Sequence, residues 1–219
     1  MANIIVFHMR IGMKNILALF FLSLLLLTGC AQKEFTQIAP ELPKVEVKDD
    51  TPKRQEIVKN AMKHLNKKDG GDCSGFVSLV NKESGEPYFK NTELNEHFED
   101  SRRSLAIYNL LETHERLHQN KPKIGDLVFF ANTIKKYAKL KSTDNITHIG
   151  IVTKIDPDET VHFIHHTRGK NLMGQMNLSQ PNASILNGKI INSYMEKCSV
   201  SQSHQCLSPA YFSAYGVIK

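Results

Sequence analysis

Cys73 stands in the run Asp72-Cys73-Ser74-Gly75-Phe76-Val77. A thiol attacks carbonyl carbon as its thiolate. The start of a helix, with its positive potential and unpaired N–H groups, is one place where a protein turns a thiol into a nucleophile. Asp72 and Ser74 are capping residues, and Phe76, Val77, Leu79 and Val80 supply a buried side, so the spacing predicts a short helix beginning at Cys73 and ending near Gly85-Glu86-Pro87. Gly70 and Gly71 before the sulfur, and Ser74 and Gly75 after it, leave it accessible. The first N–H groups of the helix, that of Ser74 among them, would hold a developing oxyanion. On spacing alone, a buried structural cysteine is the competing reading.

A nucleophilic thiol needs a base and a group to orient that base. His148 opens the apolar run Ile149-Gly150-Ile151-Val152, which places it at a strand start. In Val161-His162-Phe163-Ile164-His165-His166 the two-residue period puts His165 on the face of Val161 and Phe163. His165 is therefore expected to point inward and orient His148, with His162 and His166 facing solvent. One Cys with four His also invites a zinc reading, but strand alternation splays adjacent histidines to opposite faces, so no metal and no cofactor is assigned.

The elements that must position these groups divide into two halves. Ile57, Val58, Ala61, Met62 and Leu65 recur at helical steps after Thr51-Pro52, and Gly70-Gly71 stops that helix. Ser104 to His118 carries Leu105, Ile107, Tyr108, Leu110, Leu111 and Leu117 on a helical spacing. Beyond Pro122-Lys123-Ile124-Gly125 the period shortens. Residues 126–131, 147–155, 160–167, 172–178 and 210–218 read as strands, with Asp156-Pro157-Asp158-Glu159 as a hairpin turn. Helices first and strands later predict an α+β fold, with an antiparallel sheet packed on the helical half. The lysine-rich connection from Asn132 to Ile146 is long for a compact domain.

Residues 1–29 read as an export signal. Lys14 and Asn15 precede an apolar run from Ile16 to Leu27, which ends in Leu27-Thr28-Gly29-Cys30, the form of a lipoprotein processing box. Met13 begins a more usual signal than Met1. Cys30 is then the lipidated N-terminus, residues 30–52 a Pro- and charge-bearing tether, and 53–219 a single domain. Export places the protein in the cell envelope, held to a membrane by lipid. Ala31 after Cys30 favours the periplasmic face of the outer membrane if the envelope is Gram-negative. The formal charge of +6 becomes +4 without Arg10 and Lys14. Its dispersed lysines, with no interleaved aromatic platform, argue against nucleic acid. Cys198 and Cys206, in a polar stretch, offer a short disulfide in an oxidising compartment, the alternative being two exposed thiols.

Taken in order, Asp72-Cys73-Ser74-Gly75-Phe76-Val77, Gly125-Asp126-Leu127-Val128-Phe129-Phe130, His148-Ile149-Gly150-Ile151-Val152 and Phe163-Ile164-His165 resemble the signature blocks of the NlpC/P60 cysteine peptidases and the related CHAP amidases. The resemblance spans about residues 55–218. It implies a papain-like α+β core and peptidoglycan as partner; a monomer without cofactors is the accompanying expectation. It also implies cleavage of a stem-peptide amide, usually between D-glutamate and the diamino acid, with Cys73 as nucleophile, His148 as base and His165 as orienting residue. The alternatives are an amidase or acyltransferase on another substrate, or a non-catalytic wall-binding lipoprotein. The chain departs from the pattern in having Lys67-Lys68-Asp69-Gly70-Gly71 before the cysteine, with no Tyr. The stretches 132–146 and 179–207 are extra to a minimal domain, so substrate specificity is not carried over.

Overall fold

The structure, a computed structural model, describes residues 51–137, 142–197 and 204–219. The export-signal, lipidation and tether assignments, Cys30 included, lie outside the described residues, as does Cys198. Four helices come first: α1 Thr51–Lys63, α2 Cys73–Glu83, α3 Asn91–Leu94 and α4 Arg103–Thr113. The strands follow as β1 Leu117–His118, β2 Leu127–Ala131, β3 Ile146–Ile155, β4 Val161–Thr167, β5 Lys170–Met176, β6 Ile185–Leu186, β7 Lys189–Ile190 and β8 Phe212–Gly216. Six of them form one antiparallel sheet in the order β1-β8-β2-β3-β4-β5, and β6 and β7 pair apart from it. This is the α+β architecture of helices leading into an antiparallel sheet. None of the described helices is long and apolar enough to cross a membrane.

Both faces of the sheet are buried, which single-sided alternation did not predict. Phe129, Ile149, Ile151 and Ile164 pack against Ile57, Phe76, Val77, Leu110 and Leu111 of the helices. Val128, Phe130, Val152, Val161, Phe163, Met176 and Tyr215 form a second cluster on the other face, where Met195, Tyr211 and Phe212 pack on them. The β2 signature block has a structural reason of its own. Asp126 is buried and accepts from Arg54 of α1 at 2.6 Å and from the Lys123 amide at 2.7 Å. Gly125, at φ +80°, lets the turn close here, where a Cβ would lie 3.3 Å from the Arg54 backbone. One buried charge pair thus seats the first helix on the sheet.

Two element assignments change. Leu117 belongs to β1, opposite Gly216, because Glu115 at φ 54° turns the chain out of α4 after Thr113. The first helix ends at Lys63, well before Gly70-Gly71. Cys206 is disulfide-bonded, so it is not an exposed thiol.

Candidate active site

Cys73 is the first residue of α2, and the Asp72 carboxylate caps that helix by accepting from the Gly75 amide at 2.7 Å and the Ser74 hydroxyl at 2.8 Å. A Cβ on Gly75 would overlap the Gly70 carbonyl, so the turn that delivers the cysteine crosses the first turn of its own helix, a passage only glycine permits. β3 pairs with β4 from Ile151 onward, so its first residues diverge from β4. The backbone amides of Ile149 in that stretch, of Ser74 and of Cys73 itself favour the Cys73 thiolate.

His148 and His165 meet on the sheet face that carries Phe130 and Phe163. His148 Nε2 and His165 Nδ1 are 2.7 Å apart, and the rings stand nearly perpendicular at 82°. Phe130 flanks His148 at 6.0 Å and Phe163 flanks His165 at 5.0 Å. Gly150 makes the meeting possible. A Cβ there would lie 2.9 Å from the Ile164 carbonyl, 3.1 Å from the Phe163 ring and 3.3 Å from His165 Cβ.

His165 therefore shares the face of Val161 and Phe163, but that face points away from the helices. The expectation of solvent-facing His162 and His166 is corrected: they share the face of Ile164, which the helices cover. His166 is buried against Asn171 Oδ1 at 2.9 Å, and half-buried His162 bonds Asp156 at 2.8 Å. Among the described residues no group of three or more His, Cys, Asp and Glu side chains is placed to hold a metal ion.

Burial dominates the electrostatics. It pushes the Cys73 thiol up to about 11, with the Asp72 charge adding to the rise and the three amides opposing it. Burial, then the neighbouring His166, lowers His148 to about 4. His165 is driven well below its ordinary value by burial and then by His148 and Arg168. Burial also works against the Asp72 carboxylate, but its hydrogen bonds from Gly75 and Ser74 outweigh that and hold its pKa below the usual range. At neutral pH Cys73 is thus a thiol and His148 a neutral imidazole, not the preformed thiolate expected of a helix start.

A recess of about 380 Å³ opens at the sulfur, bounded by Asp72, Phe98, Arg102, Arg103, Tyr137 and Thr147. The Arg102 guanidinium lies 4.6 Å over the Tyr137 ring and donates to Asn145 at 2.6 Å, tying both residues to the start of α4. Sequence reasoning missed Arg102 and Tyr137; the length of that connection was their one signal. The Ser74 amide, expected to serve an oxyanion, favours the charged forms of both Asp72 and Cys73.

A model of the NlpC/P60 family matches residues 61–200, a span holding Cys73, His148 and His165. The chain belongs to the NlpC/P60 family. No curated protein and no solved structure matches the chain. Family membership carries the coarse function with it, a cell-wall hydrolase of the cysteine peptidase and amidase type. In this NlpC/P60 domain Tyr137, downstream of the cysteine, lines the recess at Cys73, and no Tyr stands in the segment 67–71 before it.

Proposed function

We propose that the chain is a peptidoglycan endopeptidase of the D,L type, cleaving a stem-peptide amide through Cys73, His148 and His165. The observation that carries this is the 2.7 Å contact between His148 Nε2 and His165 Nδ1, on a strand whose next amide, that of Ile149, favours the Cys73 thiolate. With Nε2 committed to His165, Nδ1 is the nitrogen left for the thiol. Base chemistry then requires that His148 donate its Nε2–H to His165 and keep the Nδ1 lone pair free.

His148 takes the thiol proton as sulfur attacks the carbonyl carbon, and the oxyanion forms near the Cys73 N–H. Collapse breaks the C–N bond, and the proton on His148 goes to the leaving amine, giving a thioester. Water, deprotonated by the same imidazole, hydrolyses it and restores the thiol. Export and attachment through a lipid on Cys30, with peptidoglycan as partner, complete the proposal; they rest on the Leu27-Thr28-Gly29-Cys30 ending.

In the test, purified peptidoglycan is digested and the products are weighed by mass spectrometry. The wild type should release fragments with a new D-glutamate end and a new diamino-acid amine. Cys73→Ala should release none while its circular dichroism stays unchanged. Undiminished release by that variant, or cleavage at another bond, overturns the proposal.

A further inference from the structure

The hairpin β6–β7 pairs apart from the main sheet and stands out from it as a two-stranded finger. Asn187-Gly188 closes it, with both residues at positive φ (50° and 75°), as the tightest hairpin turn requires. Its base is fixed. The Ile191 amide donates to the Ser184 carbonyl at 3.0 Å, and the buried Asn192 side chain donates to the Gln180 and Ala183 carbonyls at 2.8 Å each. What the finger displays is aliphatic. Ile185 and Ile190, paired across its strands, are 59% and 57% exposed, and Leu186, on the opposite face, is 38% exposed. Exposed Tyr194 lines the same hollow as the isoleucine pair.

Exposed cations gather at this end of the molecule. Lys189 sits on the finger opposite Leu186, and Arg168, in the β4–β5 turn, lines the hollow under Ile185 and Ile190. Lys170 closes that turn, and the Asn171 amide donates to the Lys67 carbonyl at 2.8 Å, which brings Lys67 and Lys68 alongside. No ion pair among the described residues engages any of these cations, while Asp69 and Glu196, acids of the same segments, are committed to His64 and Tyr211. Apolar side chains on both faces of a narrow finger are covered by a medium that surrounds it; a flat partner covers one face, and a hydrated wall polymer covers neither. An aliphatic tip with a Tyr beside it and basic side chains behind it is the composition of a membrane-interface element, and the unpaired positive charge fits anionic headgroups. We infer that β6–β7 dips into the surface of an anionic phospholipid bilayer, with Ile185, Leu186 and Ile190 among the acyl chains and Lys67, Lys68, Arg168, Lys170 and Lys189 on the headgroups. The contact goes beyond the hydrolase reading and gives the domain a fixed orientation on the membrane.

The chain contains no Trp, so one placed on the finger is a sole fluorescent reporter. The full chain carrying Ile185→Trp is reconstituted into vesicles of phosphatidylglycerol and phosphatidylethanolamine. Its emission should lie to the blue of the same variant in phosphatidylcholine vesicles, and bromine on the acyl chains should quench it. Ile190→Trp should behave alike, which guards against a local disturbance at one position. Met62→Trp, exposed on α1, should stay unquenched. Adding Lys170→Gln and Lys189→Gln should weaken the quenching at position 185. Finger reporters that brominated lipid leaves unquenched overturn the inference, as does quenching of equal strength at position 62 or in phosphatidylcholine. A blue shift that disappears as the protein is diluted in the lipid marks a second copy of the chain as the occupant and overturns it as well.

Discussion

Asp72 does two things at Cys73 that oppose one another. Its oxygens cap α2 through Gly75 and Ser74, which fixes where the cysteine is delivered, while its negative charge raises the thiol pKa. Asp72→Asn keeps an oxygen for the Gly75 amide, and Asn caps helices about as well as Asp, so the fold should lose well under ~1 kcal/mol. The charge is gone, so the thiol pKa should fall below about 11. Alkylation by iodoacetamide, followed from pH 7 to 11, reads this directly. The wild-type rate should keep climbing toward the top of that range, and the Asp72→Asn curve should shift to lower pH. A wild-type rate already at its plateau at pH 7 would show a preformed thiolate and sink the neutral-pair description.

Between elements, the segment leading to Cys73 is held by a residue on the opposite side of the sheet from His148 and His165. Asn171 of β5 is fully buried. Its backbone bonds Asn66 and Lys67 at 2.8 Å each, and its side-chain amide donates to the His64 and Asp69 carbonyls at 3.0 and 3.2 Å. Asn171→Ala strands two carbonyls and the His166 ring nitrogen, which should cost about 1–3 kcal/mol in urea unfolding. Because the loosened turn runs into Gly70, Gly71 and Cys73, kcat should fall about tenfold with KM little changed. A stability loss with kcat untouched would make Asn171 purely structural. The helix that starts at Cys73 was legible in the sequence because its cap, glycines and buried side are local, and alternation correctly grouped His165 with Phe163. Alternation could not say which face the helices cover, since both sides of β4 are apolar enough to be buried. The hold of Asn171 on residues 64–69 and the placing of Tyr137 at the thiol are contacts across distant segments, with no local signal to find them. Leu117 was lost to a strand through a left-handed Glu115, a conformation that residue type does not announce.

For the whole molecule, the buried imidazoles set how stability and activity part company in acid. His148 titrates near 4 in the fold and near 6.5 when unfolded, and His165 is also well below 6.5 in the fold. Between those values the unfolded chain binds more protons than the folded one, so stability falls as the pH drops from 6.5 toward 4. The lowered carboxylates of Asp72 and Asp156 act in the same direction, but only below about 3.8, where the unfolded chain begins to protonate them. With His148 as the proposed base, catalysis needs only that the folded imidazole stay neutral, so kcat/KM should hold down to about pH 5 and fall with unit slope through about pH 4. The two limbs are therefore separated by about two pH units, stability failing first. Urea midpoints and initial rates measured from pH 7.5 to 4 on the same preparation check this. His165→Gln should flatten the stability curve by removing one buried imidazole, and should cut kcat by about 10²-fold or more by leaving His148 free to turn. An activity limb near pH 6.5 in the wild type would mean that His148 is not desolvated as the fold describes, and that the thiol is ionised by an imidazolium partner after all.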